Sequence, residues 1–489
     1  MFVQDLIYQG QADKVAIDGE LKITYRDLQI SVEEYRNYLY SIGIRRGDNV
    51  GVLSKNSAYY IYAYMAIVSL GAVVVPINFQ LTAREIAYIV QDAEMKFFIS
   101  DVEVEIKEEL EFYQYKFPVK KMLLTDIEVK AKIKGKYVPA PSLPESFTED
   151  EVCVIIYTSG TTGNPKGAML THKNQVSNAR MFKQAIGINE NDNVLCVLPM
   201  YHCFAWTCAV LNPLYSKARI TILDVFNPKE TVVAIQKFDV NLIYAVPAIC
   251  NILTRTAPIE ALANVHTFIV GGTSLPIKIA TDFAKKFNLT ILEGYGLSEA
   301  SPVVAVNTKN KYRLGSIGCP LPDIEVKIID ANGKGLSRGE VGELIVRGDN
   351  VMKGYYHLPE ATKAALKPDG WLHTGDIAYQ DEDGFIFIVD RLKDMLISSG
   401  ENVYPREIEE VLYTYDGVME AAVVGREDKL RGQAVVAYIV PADGVVIDKK
   451  EVKDYLQRNL AIYKVPREIH IVDHFPKSQT GKILKRLLS

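Results

Sequence analysis

Short apolar runs and amphipathic stretches alternate along the chain, as expected of strands that are each followed by a helix. The alternation is clearest between residues 47 and 101, where helices are predicted near Tyr60 and after Thr82. Thr82 is followed three residues later by Glu85, the spacing of a capping box at a helix start. Repeated alternation of strand and helix predicts an α/β fold with a parallel sheet covered on both faces. The predicted strands here are residues 49–53, 72–76 and 96–100.

Residues 56–83 carry no charge, so a transmembrane helix has to be considered for this stretch. Such a helix needs about 20 consecutive apolar residues, and Gly71, Pro76 and Asn78 interrupt the run. A buried helix followed by a buried strand explains the composition better. The N-terminus also lacks the basic segment followed by an apolar segment that marks a signal peptide. We therefore predict a cytoplasmic protein without a transmembrane segment, with peripheral membrane contact left open.

The pattern changes twice towards the C-terminus. Around residues 313–391, short β-rich runs separated by Gly and Asp turns predict a small barrel or an antiparallel sheet. After Arg391, about 100 residues remain with strands and helices of their own, which is enough for a separate small domain. These shifts predict an N-terminal domain over residues 1–391 and a C-terminal domain over residues 392–489.

The composition narrows the classes of function. Of the 489 residues, 48% are hydrophobic and 24% are charged, which are values of a folded soluble protein. The net charge of -5 argues against a general nucleic-acid-binding protein. The six cysteines contain no Cys-x-x-Cys pair, so we predict reduced, buried thiols and no zinc site.

The most informative segment is residues 157–167, which read Tyr-Thr-Ser-Gly-Thr-Thr-Gly-Asn-Pro-Lys-Gly and follow the predicted strand 152–156. The three glycines allow a tight turn that presents backbone N–H groups, and the hydroxyls can donate to phosphate oxygens. Lys166 adds a compact positive charge. Pro165 before this lysine and Gly167 after it break the Walker A pattern. The segment therefore predicts a phosphate-binding loop of another type, with an ordinary Ser/Thr/Gly turn as the alternative.

Residues 157–167 resemble the phosphate loop of the adenylate-forming (ANL) superfamily, which contains acyl-CoA synthetases, nonribosomal peptide adenylation domains and beetle luciferases. The resemblance extends to Lys482 near the C-terminus, with the main motifs in order. It implies ATP and Mg²⁺ as ligands and CoA as a co-substrate. It also implies a large N-terminal domain of two αβ layers plus a small β-barrel, followed by a small mobile α+β C-terminal domain.

The resemblance implies a nucleotide site built from several motifs. Glu299 and Thr161 are expected to hold Mg²⁺. Asp376 and Arg391 are expected to bind the ribose, with an ion pair or a β-turn acid as the alternative. Lys482 is expected to bridge the carboxylate and the α-phosphate, or else to be one more basic residue of the tail. The expected catalytic residues are Lys482, His202, Thr161 and Glu299. The expected nucleotide-binding residues are Thr158, Ser159, Gly160, Thr161, Thr162, Gly163, Lys166, Gly271, Gly272, Thr273, Glu293, Gly294, Tyr295, Gly296, Asp376, Ile388, Arg391 and Lys482.

The resemblance also implies an apolar pocket for the acid. His202 stands where the family keeps an aromatic residue or a histidine beside the carboxylate, and we predict a positioning role, with a packed core histidine as the alternative. Long-chain fatty-acyl members often place a tryptophan like Trp206 as a gate to the chain tunnel, with core packing as the alternative. The neighbours of His202 include no acid that could hold a substrate ammonium. The expected pocket residues are His202, Phe204, Trp206, Val246, Ala248, Val270, Leu275 and Val303.

The implied reaction has two steps, formation of an acyl-adenylate from ATP and transfer of the acyl group to a thiol with release of AMP. Between the steps, the C-terminal domain is expected to rotate about Lys393, which removes Lys482 and brings in a loop. The loop residues expected at the thiol step are Ser399, Gly400 and Glu401. The apolar pocket favours a medium- or long-chain fatty acid. An aryl acid of the benzoate, coumarate or succinylbenzoate type is the alternative, and a carrier-protein-loading adenylation enzyme is less favoured.

Two other classes of protein share these motifs. A luciferase-like oxygenase would also have to oxidise its adenylate. A catalytically silent nucleotide-binding protein would keep Gly160 and Gly163 but lose Glu299 or Lys482, and both of these are present. The expected partners are therefore a small carboxylic acid, ATP and CoA, without nucleic acid, in a monomer or a homodimer.

Overall fold

The computed structural model describes residues 1–19, 21–133, 135–158, 164–398, 400–428, 432–477 and 482–488, and the strands among them belong to four sheets. The strands are β1 (Val15–Asp18), β2 (Ile23–Thr24), β3 (Asn49–Leu53), β4 (Val73–Ile77), β5 (Phe97–Ser100), β6 (Lys120–Leu123), β7 (Val152–Thr158), β8 (Lys166–Thr171), β9 (Asn193–Cys196), β10 (Arg219–Ile222), β11 (Leu242–Ala245), β12 (Thr267–Val270), β13 (Ile291–Gly296), β14 (Val303–Val306), β15 (Cys319–Pro320), β16 (Glu325–Ile329), β17 (Gly342–Arg347), β18 (Gly354–Tyr355), β19 (Leu372–Gln380), β20 (Ile386–Arg391), β21 (Leu396–Ser398), β22 (Glu401–Val403), β23 (Val418–Asp428), β24 (Gly432–Pro441) and β25 (Glu468–Ile471). The α-helices are α1 (Tyr25–Ser41), α2 (Ala58–Ser69), α3 (Ala83–Asp92), α4 (Lys107–Phe112), α5 (Leu124–Ala131), α6 (His172–Ile186), α7 (Cys203–Ala205), α8 (Asn212–Ser216), α9 (Pro228–Lys237), α10 (Pro247–Thr256), α11 (Ile277–Phe287), α12 (Pro359–Ala365), α13 (Pro405–Tyr413) and α14 (Lys449–Asn459), with a π-helical turn (Trp206–Leu211) that joins α7 to α8.

Two α/β sheets form the N-terminal part of the protein. One has nine strands in the order β15-β14-β13-β12-β11-β9-β10-β1-β2, and the other has seven in the order β18-β8-β7-β4-β3-β5-β6. Within the first sheet the strands from β13 to β1 in this order are parallel to one another, and within the second sheet so are the strands from β7 to β6. Central strands such as β4 and β12 are buried along their whole length, which explains their continuous apolar sequence. The predicted α/β fold is confirmed.

The uncharged stretch 56–83 folds as a buried helix and a buried strand. The hydroxyl of Ser57 caps α2 by accepting the N–H of Tyr60 at 3.1 Å, and nearly every residue of this helix is buried. The next helix, α3, begins with the capping box predicted from Thr82 and Glu85. Within the described part of the chain, no helix is both long enough and apolar enough to cross a membrane. The six cysteines are free, and all except Cys319 are buried, in agreement with the prediction of reduced thiols.

The β-rich segment that follows forms a four-stranded antiparallel sheet in the order β16-β17-β19-β20. Within the described ranges the end strands β16 and β20 do not pair, so the sheet is open. The expected small β-barrel is therefore corrected to the antiparallel sheet that the same pattern also allowed. The short strands and Gly turns could not distinguish the two, because closure depends on the tilt and stagger of strands rather than on local sequence.

The last part of the chain has an apolar core of its own. Its strands lie in the order β22-β21-β24-β23, with β25 beside β24. Side chains of this sheet pack with α13 and α14 in one hydrophobic cluster that begins at Leu396. The large cluster of the N-terminal part ends at Ile386 and shares no residue with it. The chain therefore passes from one core to the other through the segment that contains Arg391 and Lys393.

Candidate active site

The predicted phosphate loop connects β7 to β8, which run antiparallel. Thr158 at the end of β7 lies opposite Lys166 at the start of β8, and the Thr158 hydroxyl donates to the Lys166 carbonyl at 3.4 Å. The chain therefore reverses direction between these two residues. The remaining predicted residues of the loop lie outside the described residues, and they are Ser159, Gly160, Thr161, Thr162 and Gly163.

Glu299 and Lys166 both contact Tyr355, a residue that the sequence pattern did not single out. The Tyr355 hydroxyl donates to Oε1 of Glu299 at 2.9 Å. The Lys166 ammonium lies 5.3 Å from the centre of the Tyr355 ring. Glu299 belongs to a short 3-10 turn after β13, whereas Tyr355 belongs to β18, which pairs with β8. The structure thus brings the predicted metal ligand and the predicted phosphate-binding lysine to one phenol.

Glu299 offers the kind of ligand that Mg²⁺ prefers, a carboxylate oxygen. Among the described residues, no group of three or more His, Cys, Asp or Glu side chains is placed to hold a metal ion. Mg²⁺ commonly takes one or two protein carboxylates and completes its shell with phosphate oxygens and water. A single glutamate beside the phosphate loop therefore fits a metal that arrives with a nucleotide.

Asp376 is held by two other predicted nucleotide-binding residues. It lies on β19 directly opposite Arg391 on β20, and Nε of Arg391 is 3.1 Å from Oδ1 of Asp376. The Tyr295 hydroxyl donates to Oδ2 of the same carboxylate. Asp376 is buried, whereas 42% of the Arg391 side chain is exposed. The ion pair that the sequence left as an alternative is therefore present, and ribose binding stays a prediction.

Lys482 lies in the same cleft as this pair. Its ammonium is close enough to Arg391, Lys393 and Asp376 for their charges to act on it, and it keeps a route to solvent. Lys482 is exposed, but surrounding protein atoms partly desolvate its ammonium, and together with the charges of Arg391 and Lys393 this lowers the pKa of Lys482 to about 8. The tail lysine therefore faces the predicted nucleotide site in this arrangement of the chain.

The lowered pKa of Lys482 predicts an alkaline limit to acyl-adenylate formation. Since kcat/KM reports the ionisations of the free enzyme, kcat/KM for ATP should fall as the pH rises through about 8, where the ammonium loses its proton. The measurement is ATP–pyrophosphate exchange at saturating acid across this pH range. A Lys482→Arg variant keeps its charge throughout, so its residual activity should not show the fall. An identical fall in both proteins would contradict the assignment to Lys482.

Glu293 connects the nucleotide motifs to the C-terminal part of the chain. Its Oε1 accepts the N–H of Leu275 at 3.2 Å, which ties it to the loop that begins with the predicted residues at 271–273. Burial raises the pKa of Glu293 to about 7, although the Arg406 guanidinium opposes this shift and Glu410 adds to it. Both of these charges are on α13. Glu293 is therefore a buried carboxyl between the two cores rather than a group exposed in the cleft.

His202 is a neutral, half-buried ring at the start of α7. Its Nδ1 accepts the N–H of Phe204 at 3.2 Å, which leaves Nε2 as the nitrogen that carries the proton in the neutral form. Burial lowers the pKa of His202 to about 4, so the ring is uncharged at neutral pH. A neutral donor of fixed tautomer fits a positioning role better than proton transfer.

An apolar wall forms where the turn after β12 meets the predicted pocket residues. A Cβ atom on Gly271 would lie 3.3 Å from the Phe204 ring and 3.2 Å from the Gly294 carbonyl oxygen, and one on Gly272 would lie 3.8 Å from the Val246 side chain. Glycine at 271 is therefore what allows the ring and the backbone of β13 to approach each other. Three further pocket residues are buried, namely Val270, Leu275 and Val303.

Trp206 packs into a cluster of tyrosines from α2. Its ring centroid is 3.9 Å from that of Tyr64 and 5.6 Å from that of Tyr60, and 3% of the residue is exposed. Core packing, which the sequence left as the alternative, accounts for these contacts. The predicted role of Trp206 as a gate is not tested by this arrangement.

Lys393, the predicted hinge, lies in the turn between β20 and β21. The N–H of Leu392 donates to the Gly375 carbonyl at 2.9 Å, and the N–H of Asp394 donates to the Arg391 carbonyl at 3.0 Å. The backbone on both sides of Lys393 is thus anchored to the nucleotide site.

The loop predicted for the thiol step lies elsewhere in this arrangement. Gly400 and Glu401 form the exposed end of the β21–β22 hairpin, and Ser399 lies outside the described residues. Ile388 on β20 is also linked to the C-terminal part, because its carbonyl accepts Nη1 of Arg406 at 2.8 Å. The structure therefore groups Asp376, Arg391 and Lys482, whereas the described strands of the hairpin pair with each other and with β24.

Sequence reasoning missed two residues that support the site. Glu343 accepts the N–H of Gly375 at 3.2 Å and lies 2.8 Å from Nδ1 of His373, so it braces the strand that carries Asp376. Tyr355 contacts Glu299, which is 56 residues away in the chain. A glutamate or tyrosine in a Gly-containing β-rich run carries no local signal of such a distant contact, so neither could be selected from the pattern.

Comparison with protein families places most of the chain in two matches. The family model described as AMP-binding enzyme matches residues 7–356, and the model described as AMP-binding enzyme C-terminal domain matches residues 407–482. Asp376 and Arg391 lie in the segment between the two matches, and Lys482 is the last residue of the second match.

Curated proteins of known name align along almost the whole chain. A feruloyl-CoA synthase of Amycolatopsis sp is 35% identical over 96% of this chain and 93% of its own length. A long-chain-fatty-acid–CoA ligase of Bacillus subtilis (strain 168) is 33% identical over 97% of this chain and 91% of its own length. The two names differ in the acid, so they do not distinguish an aryl from an alkyl substrate.

Solved structures of one protein in two states also resemble this chain. ATP-bound MatB from Rhodopseudomonas palustris, 29% identical, has a TM-score of 0.92 and covers 100% of this chain and 98% of its own. The apo form of MatB, with the same identity and coverage, has a TM-score of 0.81. The arrangement of the present structure is therefore more similar to that of MatB with ATP bound.

Proposed function

This chain belongs to the family of AMP-binding enzymes and is an AMP-forming acid–thiol ligase, and we propose that it joins a medium- or long-chain fatty acid to CoA. The observation that carries the proposal is the shared cleft of Lys482, Asp376 and Arg391, next to a pocket wall without charged groups. A positive charge at the nucleotide and an apolar wall suit a substrate with a carboxylate head and a hydrocarbon body. The long-chain-fatty-acid–CoA ligase from Bacillus subtilis, 33% identical, supports this choice of acid.

In the first step, a carboxylate oxygen of the acid attacks the α-phosphorus of ATP and pyrophosphate leaves. Both reactants are anions, so the ammonium of Lys482 lowers the barrier by attracting the carboxylate and stabilising charge on the α-phosphate oxygens. The Asp376–Arg391 pair holds the ribose, and Lys166 with the phosphate loop holds the β- and γ-phosphates. Bound at Glu299, Mg²⁺ would neutralise charge on the phosphate oxygens. His202 orients the carboxylate from its Nε2 proton.

In the second step, the sulfur of CoA attacks the acyl carbonyl carbon, the thiol proton is lost and AMP leaves. The C-terminal part, proposed as a domain from residue 392 onward, rotates about Lys393 between the steps. This rotation withdraws Lys482 and brings the β21–β22 hairpin with Gly400 and Glu401 to the acyl-adenylate. The separate apolar core of that part supports movement as one body.

The second candidate substrate is an aryl acid. The feruloyl-CoA synthase of Amycolatopsis sp, 35% identical along 96% of this chain, favours it. Phe204 against Gly271 could stack on an aromatic ring as well as line an alkyl tunnel. Tyr60 and Tyr64 pack against Trp206, so this predicted pocket residue already has aromatic neighbours.

A panel of acids tests the proposal. Pyrophosphate release is measured with acetate, octanoate, palmitate, benzoate and ferulate, each with and without CoA. We expect kcat/KM to rise from acetate to the longer alkyl acids, because each buried methylene contributes about 0.8 kcal/mol to binding. Product analysis should find the acyl-CoA and AMP in equal amounts. Ferulate above every alkyl acid would replace the proposal by the aryl alternative, and AMP without thioester would argue for another acceptor.

A further inference from the structure

Tyr355 is held in place independently of the two charged residues that it contacts. Its N–H donates to Oγ1 of Thr362 at 2.9 Å, and its backbone pairs with Ala168 on β8. The side chain is therefore a fixed, neutral hydrogen-bond donor.

The hydroxyl of Tyr355 orients Glu299. The 2.9 Å bond engages Oε1 of the carboxylate, and a carboxylate held by one oxygen presents the other to a cation without further rotation. Hydrogen bonds to charged groups are stronger than those between neutral groups, so the bond favours one rotamer of Glu299. The contact joins residues 56 positions apart, which makes it a tertiary support rather than a feature of the 3-10 turn.

The ring of Tyr355 holds Lys166 by a different interaction. An ammonium within about 6 Å of a ring centre is attracted by the negative face of the ring, and the distance here is 5.3 Å. This attraction is weaker than a direct ion pair with a carboxylate would be. The lysine is kept near Glu299 without being neutralised by it, so it remains available for a phosphate group.

We infer that Tyr355 is a positioning residue that holds Glu299 ready for the metal of the metal–ATP complex and holds Lys166 ready for the phosphates. The inference rests on the proposed function, because it takes ATP as the ligand of this cleft. Tyr355 acts through its two neighbours and does not touch the reacting atoms. The hydroxyl supports metal binding by orienting Glu299, and the ring supports phosphate binding by holding Lys166.

Binding measurements separate the two contributions of Tyr355. The probes are α,β-methylene-ATP, in which the bond that breaks is replaced, and Mn²⁺, whose free concentration is read by electron paramagnetic resonance. Tyr355→Phe should weaken Mn²⁺ binding in the analogue complex by roughly tenfold, since it removes one charged hydrogen bond. It should leave the affinity for the metal-free analogue within about twofold, because the ring remains. Tyr355→Leu removes the ring as well and should weaken both.

Tyr356→Phe is the matched control, since the Tyr356 hydroxyl accepts a hydrogen bond from Nδ2 of Asn49 at 3.3 Å and contacts neither charged group in this way. Thermal unfolding confirms that each variant is folded. Unchanged Mn²⁺ binding in Tyr355→Phe, or an equal loss in Tyr356→Phe, would overturn the inference. A wild-type protein that binds the analogue and Mn²⁺ but activates no acid of the panel would refute the proposed function alone, because the role of Tyr355 is measured without turnover.

Discussion

Replacing Lys482 with alanine should slow acyl-adenylate formation by about 10²–10³-fold, the loss typical of removing one preorganised group that stabilises transition-state charge. Thioester formation from acyl-adenylate supplied to the enzyme should remain close to the wild-type rate. The reason is geometric, because Lys482 lies near Asp376 and Arg391 in this arrangement. The proposed rotation would withdraw it before the thiol arrives. ATP–pyrophosphate exchange measures the first step, and acyl-CoA production from synthetic acyl-adenylate measures the second.

Lys449→Ala is the control for this experiment. Lys449 is an exposed lysine at the start of α14 in the same C-terminal part, so its loss changes the net charge equally without touching the cleft. Both half-reactions should be unchanged in this variant. Equal losses in both half-reactions of Lys482→Ala would refute the division of labour between the two steps.

Replacing Lys393 with proline should produce the opposite result. Proline fixes φ near −65° and so removes the rotation that a hinge requires. Adenylate formation should stay within a few-fold of wild type, and thioester formation from supplied acyl-adenylate should fall by about 10²-fold, as expected when a reacting group is misplaced. The present arrangement suits this test, since it resembles MatB with ATP bound and already holds Lys482 in the cleft.

The backbone contacts of the turn make Lys393 a suitable position for proline. The neighbouring N–H groups of Leu392 and Asp394 donate hydrogen bonds within the described residues, and the N–H that proline removes has no such bond to lose there. Lys393→Ala is the matched control, because it removes the same charge beside Lys482 and keeps backbone freedom. If Lys393→Pro still transferred acyl groups at the rate of Lys393→Ala, rotation about this residue would be refuted.

Local patterns in the sequence were sufficient for much of the fold. Continuous apolar runs identified the buried strands β3 and β4, and Thr82 with Glu85 identified the start of α3. Such features depend on neighbours along the chain, through side-chain alternation, capping and glycine conformation, and these interactions act over a few residues. The glycines and hydroxyls between residues 157 and 167 are also a local feature. Their density predicts phosphate binding whatever the position of this segment in the fold.

The arrangement of the site depends on contacts that no local pattern contains. Closure of the antiparallel sheet, the support of Glu299 by Tyr355, and the burial of Trp206 among tyrosines were each open or unseen from the sequence. Each depends on packing between segments separated by dozens of residues or more. These contacts contribute to stability only after the sheets have assembled. The order of strands in a sheet cannot be predicted from the composition of any single strand.

The chain order of the motifs therefore identified a nucleotide-dependent chemistry, because the required residue types occur in a recognisable succession. Only the tertiary structure determined which charged side chains lie close to one another. Arg391 faces Asp376 from the paired strand, Tyr295 reaches it from a strand of another sheet, and Lys482 approaches from the end of the chain. Electrostatic interactions depend on distance through space and on burial, and neither quantity exists until the two cores have packed against each other.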